Sequence, residues 1–91
     1  MGTSNILGGW TPYSSNISAE AYSVFEKAVD LRGVNYTPVA VATQPVSGTN
    51  YSFFCNAKGV YPNATNEAAL ITVYQPLKGE PHIMKLTPIK H

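Results

Sequence analysis

The stretch that decides the fold lies near the middle of the chain and reads Gln44-Pro45-Val46-Ser47-Gly48-Thr49-Asn50-Tyr51. The runs on either side, Val34–Thr43 and Tyr51–Lys58, are rich in β-branched and aromatic side chains and are bounded by turn formers, which is typical of strands. Between them, proline fixes φ and glycine supplies the positive φ that a reversing chain needs. The stretch therefore predicts a tight, rigid β-hairpin with an exposed tip.

Val46 is the apolar residue in the middle of that tip, and it has two interpretations. A side chain on a rigid tip loses little conformational entropy on docking, so Val46 is suited to filling a pocket on another protein. Alternatively, Val46 folds back and covers its own sheet. The residues alone leave both interpretations open.

The composition indicates one small domain over residues 1–91, with residues 1–9 as a flexible N-terminal arm. Hydrophobic residues make up 44% of the chain and charged residues 12%, and the net charge is +1. Because the cationic side chains are few and scattered, we expect no nucleic-acid partner. Any binding function should depend on shape and apolar contact.

Cysteine and histidine are scarce, which limits the chemistry to be expected. Cys55 has no second cysteine to pair with, and His82 and His91 are too few and too far apart for a metal site. We expect no metal, no cofactor and no catalytic residues. No segment has the roughly 18 apolar residues of a membrane span, and the N-terminus lacks signal-peptide features. We therefore expect no membrane partner, and a protein that is cytoplasmic or secreted with its signal peptide removed.

A single amphipathic helix is predicted over Ala19–Arg32. Ser18 or Asn16 supplies the N-cap, and Gly33 fits the left-handed position that ends many helices. The rest of the chain reads as four strands, at residues 34–43, 51–58, 67–75 and 82–90. The last is predicted at a sheet edge, because its proline cannot donate to a ladder.

This order of elements predicts an α+β fold, in which an antiparallel sheet of four to five strands wraps around a single α-helix. Alternation on the second strand places Tyr51, Phe53, Cys55 and Ala57 on the face toward the helix. The turn at Gln44–Gly48 and the turn at Pro76–Leu77 should lie at the same end of the sheet. The N-terminal arm should reach that end as well.

Three features of the chain resemble the cystatins, inhibitors of papain-like cysteine proteases. Gln44-Pro45-Val46-Ser47-Gly48 matches their Gln-x-Val-x-Gly motif. Gly8-Gly9 matches the glycine pair that follows their loose N-terminal trunk. Pro76-Leu77 resembles the Pro-Trp of their second hairpin, with leucine in place of tryptophan, and Pro81-His82 is a weaker candidate for the same role. The likeness covers essentially the whole chain and, because cysteine pairs are lacking, fits the disulfide-free branches.

The resemblance implies a wedge, by which we mean the arm Leu7-Gly8-Gly9, the loop residues Gln44, Pro45, Val46, Ser47 and Gly48, and the turn residues Pro76 and Leu77. The wedge would enter the active-site cleft of a papain-like cysteine protease and inhibit it reversibly and competitively. The inhibitor would be a monomer, although opening the central hairpin would allow a domain-swapped dimer.

Two other functions are alternatives to protease inhibition. One is a cystatin-like domain that inhibits nothing and serves as a structural or interaction module, with Pro45 and Leu77 as departures from the inhibitory pattern. The other is an enzyme that uses Cys55 and His82, but Cys55 lies mid-strand on the predicted core face, which favours packing over reactivity. Near the arm, Trp10 would be a lid on the core if the glycine pair is only a hinge.

Overall fold

The computed structural model describes residues 9–89, which form one α-helix and one four-stranded sheet. The elements in chain order are α1 (Ala19–Ala28), β1 (Val34–Val46), β2 (Gly48–Gly59), β3 (Asn66–Gln75) and β4 (His82–Ile89). All pairings are antiparallel, and the spatial order is β1-β2-β3-β4. The α+β class and the edge position predicted for the last strand are confirmed.

The helix begins where the sequence predicts but ends earlier. The Oγ of Ser18 accepts a hydrogen bond from the backbone N–H of Ala21 at 3.1 Å, so Ser18 is the N-cap. The last intrahelical bond runs from the N–H of Val29 to the carbonyl of Phe25, at 2.8 Å. The prediction that α1 continues to Arg32 is therefore wrong.

The prediction that Gly33 ends the helix is wrong, because Gly33 directly precedes β1. Its φ is +89°, and its carbonyl accepts a hydrogen bond from the N–H of Val60 at 3.2 Å. This bond fixes the start of β1 beside the loop that follows β2. Residues 29–33 connect the end of the helix at Ala28 to the start of β1 at Val34.

The core lies between α1 and one face of the sheet. Phe53 is fully buried at its centre, with its ring edge-to-face with Phe25 at 5.0 Å and stacked with Tyr51 at 5.7 Å. The predicted inward face of β2 is confirmed, because all four of its residues are buried: Tyr51, Phe53, Cys55 and Ala57. The core fixes β2 and β3 as the rigid centre of the sheet.

The hairpin between β1 and β2 is tighter than predicted. β1 continues through Val46 and β2 begins at Gly48, so Ser47 alone forms the apex. Pro45 lies within β1, where a missing N–H is tolerated because β1 is an outer strand of the sheet. The hairpin is reinforced by a hydrogen bond of 2.8 Å from the Asn50 side-chain amide to Oε1 of Gln44.

Residues 11–14 run antiparallel to β1 along its outer edge. Ser14 and Val41 exchange two backbone hydrogen bonds of 2.9 Å, and the N–H of Thr11 donates to the carbonyl of Thr43 at 2.9 Å. This pairing is an isolated bridge rather than a fifth strand. From Ser14 back to Thr11, the segment runs along β1 in the direction of the hairpin apex.

Candidate functional site: two adjoining turns at one end of the sheet

The β1–β2 tip (Val46–Gly48) and the β3–β4 turn (residues 76–81) lie against each other. Thr49 pairs with Gln75 in the ladder, which brings the two turns to the same end of the sheet. A Cβ at Gly48 would lie 3.0 Å from the Cα of Pro76 and closer still to the carbonyl oxygen of Gln75. The prediction that the two turns share one end of the sheet is confirmed.

The adjoining turns expose apolar side chains. Val46 is 39% exposed and Leu77 is 79% exposed, so both side chains present apolar surface to solvent. Pro45 is also exposed, while Pro76 is half-buried beside Gly48. The turns thus form one edge with exposed apolar side chains on both of its parts.

The described part of the N-terminal segment approaches the same end. Gly9 is half-buried, and Trp10 is 42% exposed and lies outside the core, so Trp10 is not a lid on it. Trp10 directly precedes the segment that pairs with β1 and leads to the tip. Leu7 and Gly8, the other predicted residues of the arm, lie outside the described residues.

Two side chains that sequence reasoning did not select support the turns, one at the tip and one within the β3–β4 turn. The hydroxyl of Tyr74 donates a hydrogen bond to the carbonyl of Ser47. The Gln75 side-chain amide donates to the carbonyls of Pro76 and Gly79, at 3.0 and 2.9 Å. Tyr74 follows the fully buried Val73 in β3 and so lies on the face away from the core, and a contact 27 residues apart leaves no local signal in the sequence.

Cys55 and His82 are not brought together. Cys55 is fully buried on the helix side of the sheet, and burial raises the pKa of its thiol to about 12. His82 is opposite Tyr74 in the ladder, on the other face, and the two rings pack edge-to-face at 5.7 Å. The enzyme interpretation therefore lacks its nucleophile–base contact.

A second ionisable group with a raised pKa is Tyr51, at the edge of the core nearest the turns. Burial, and secondarily the charge of Glu20, raise the pKa of its phenol.

Tyr51 also lines a groove of about 440 Å³ between the helix start and residues 11–14. A second groove, of about 290 Å³, lies at the opposite end of the sheet beside Tyr61. Neither groove includes the exposed turns.

Within residues 9–89, no cluster of three or more histidine, cysteine, aspartate or glutamate side chains could hold a metal ion. In the same part of the chain, none of the helices has both the length and the apolar character needed to cross a membrane. Comparisons of the chain with protein-family models, with curated proteins and with solved structures found no match.

Proposed function

We propose that the chain is a reversible, competitive inhibitor of papain-like cysteine proteases that acts as a wedge. The proposal depends on the resemblance of Gln44–Gly48, Gly8-Gly9 and Pro76-Leu77 to the cystatins. It assigns the chain a cystatin-like fold within the α+β class. The tip, the adjoining turn and the arm would enter the protease cleft together.

The observation that carries the proposal is the convergence of the two turns. Val46 and Leu77 belong to turns about 30 residues apart in the sequence, yet backbone contact between Gly48 and Pro76 places those turns side by side. Residues selected by resemblance to a motif thus lie on two adjoining turns at one end of the sheet. The edge formed by the two turns is complementary to a cleft, whereas a concave site would have indicated a small ligand.

The mechanism requires only occlusion. Exposed apolar side chains on a rigid edge gain free energy when a cleft removes them from water, at about 25 cal/mol per Å² of apolar surface. The thiol of Cys55 is buried in the core and is therefore not available on the edge for a covalent bond to the protease. Binding should therefore be reversible and should exclude substrate from the same cleft.

The first test titrates papain of known active-site concentration with the purified monomer, using a fluorogenic peptide substrate. The proposal expects a reversible loss of activity that excess substrate relieves. If neither papain nor a panel of related proteases is inhibited at micromolar monomer, the inhibitor function is overturned. The remaining candidate would then be a non-inhibitory interaction domain.

A matched pair of variants localises the effect. Val46→Asp puts a charge on the tip, and Val60→Asp makes the same change at an exposed site (63%) in the loop at the other end of the sheet. Val46→Asp should weaken inhibition at least about tenfold, because a buried unpaired charge is costly. Val60→Asp should inhibit like the parent. Equal inhibition by all three proteins would contradict the wedge.

A further inference from the structure

We propose that Tyr74 is a positioning residue that holds the β1–β2 tip in its docking shape. This inference rests on the proposed function, since it concerns the same edge. The hydroxyl of Tyr74 donates its hydrogen bond to the carbonyl of Ser47, the single residue at the apex of the hairpin. The bond therefore acts where the chain reverses, directly beside Val46.

Tyr74 is itself well placed to serve as a fixed support. It lies in β3, between Asn50 of β2 and His82 of β4, so strands on both sides fix its backbone. Its ring is held edge-to-face with the ring of His82, at an interplanar angle of 74°. The hydroxyl is thus supported by the sheet rather than by a loop.

The β3–β4 turn supplies the second contact to the tip. Gly48 approaches the backbone of Gln75 and Pro76 so closely that no Cβ could be accommodated. The side-chain amide of Gln75 then ties that turn together through the carbonyls of Pro76 and Gly79. The tip and the turn that carries Leu77 consequently pack against each other through Gly48, while Tyr74 links the tip to β3.

This arrangement makes a kinetic prediction. Without the Tyr74 hydroxyl, the apex samples more conformations, and only a fraction of molecules has the docking shape at any moment. When such conformations exchange rapidly, the apparent association rate falls in proportion to that fraction, while the dissociation rate is unchanged. A residue that touched the protease directly would instead alter dissociation.

The experiment compares the parent with Tyr74→Phe and with Tyr61→Phe, which removes an exposed hydroxyl at the opposite end of the sheet. Stopped-flow kinetics with papain should show association slowed about 2- to 10-fold in Tyr74→Phe, the range expected for one hydrogen bond, with dissociation unchanged. Amide hydrogen exchange of the free protein should be faster at residues 46–48 in this variant only. Tyr61→Phe should match the parent in both measurements.

The two proposals fail in different ways. If the parent protein inhibits no protease, the proposed function is overturned. Amide hydrogen exchange at residues 46–48 then still tests whether the Tyr74 hydroxyl holds the tip. Unchanged exchange and unchanged association in Tyr74→Phe overturn the positioning role. Faster dissociation with unchanged association also overturns it, because Tyr74 would then be a direct contact.

Discussion

At the scale of single residues, Gly48 has little freedom to change. Its φ is +101°, and the backbone of Gln75 and Pro76 occupies the space that a side chain would need. Gly33 is a matched comparison, because its φ is +89° but nothing lies within 4 Å of the position of its missing Cβ. A substitution at Gly33 therefore tests backbone strain alone, whereas a substitution at Gly48 tests backbone strain together with a steric clash.

We predict that Gly33→Ala lowers the free energy of unfolding by about 1 to 2 kcal/mol, the usual cost of a left-handed conformation in a residue with a side chain. Gly48→Ala should lose about a further 1 to 3 kcal/mol, since it adds a clash with a well-packed backbone. Urea unfolding of both variants measures the difference. Equal losses would mean that the two turns can separate without cost.

Cys55 gives the protein a predictable sensitivity to high pH. Its pKa rises from the ordinary thiol value of 9.0 to about 12 on folding, because burial disfavours the thiolate. The unfolded chain therefore loses this proton first, and the associated stability is complete below pH 9 and decreases as the pH rises toward 12. The slope for one proton is about 1.4 kcal/mol per pH unit.

We predict that Cys55→Ala, although less stable than the parent at neutral pH, shows a shallower decrease in unfolding free energy above pH 9. Tyr51 also has a raised pKa, but its contribution is common to both proteins and cancels in the comparison. Urea titrations at several pH values measure the slopes. Identical slopes would show that the thiol is not shielded from water.

The structural roles of the two glycines could be predicted from the sequence only in part. The positive φ of Gly48 followed from the hairpin pattern, and the structure confirms it. Gly33 also has a positive φ, but sequence reasoning assigned it to the wrong element. Its role depends on a hydrogen bond from Val60, 27 positions away, and local propensity carries no information on such a contact.

At the scale of elements, α1 depends strongly on its cap because it is short. It spans only Ala19–Ala28, and the Ser18 hydroxyl satisfies one of the N–H groups that its first turn leaves open. We predict that Ser18→Ala lowers the free energy of unfolding by about 0.5 to 2 kcal/mol. Ser23→Ala, on the exposed face of the same helix, is the control and should change it little. Chemical denaturation followed by far-UV circular dichroism measures both variants. If Ser18→Ala had the same denaturation midpoint as the parent, the cap would contribute nothing to stability.

The strands were easier to predict than the helix end. Alternation of large apolar and polar side chains reports directly which face of β2 is buried, because side chains in a strand point to opposite faces in turn. The periodicity of α1 continues into Val29 and Leu31, so the pattern alone gave no reason to stop at Ala28. In the structure, residues 29–33 instead form the connection from α1 to β1.

The candidate site also has a part that the sequence predicts and a part that it does not. Its apolar residues, Val46 and Leu77, were selected from the motif and its context, and the structure leaves both exposed. Its internal supports, Tyr74 and Gln75, could not be selected, because each acts through contacts that only the folded sheet creates. Sequence patterns thus indicated the surface of the edge but not what keeps it rigid.

At the scale of the whole molecule, the apex at Ser47 is where β1 and β2 would merge if two chains exchanged halves. A merged strand has no apex, so the contact between Tyr74 and Ser47 and the packing of Gly48 on Pro76 would be lost in that form. We predict that any dimer separated by size-exclusion chromatography after partial unfolding fails to inhibit papain, while the monomer fraction inhibits. A dimer as active per chain as the monomer would contradict this.

The loop at residues 60–65 lies at the opposite end of the sheet from the tip. The ladder between β2 and β3 runs from Thr49↔Gln75 at one end to Lys58↔Asn66 at the other, a rise of about 30 Å at the usual spacing of a strand. The only cysteine of the chain is buried and has a raised pKa, so it competes poorly for thiol reagents. A Val60→Cys variant would thus offer one reactive handle, through which a dye or a sensor chip could be coupled while every molecule presents its apolar edge outward.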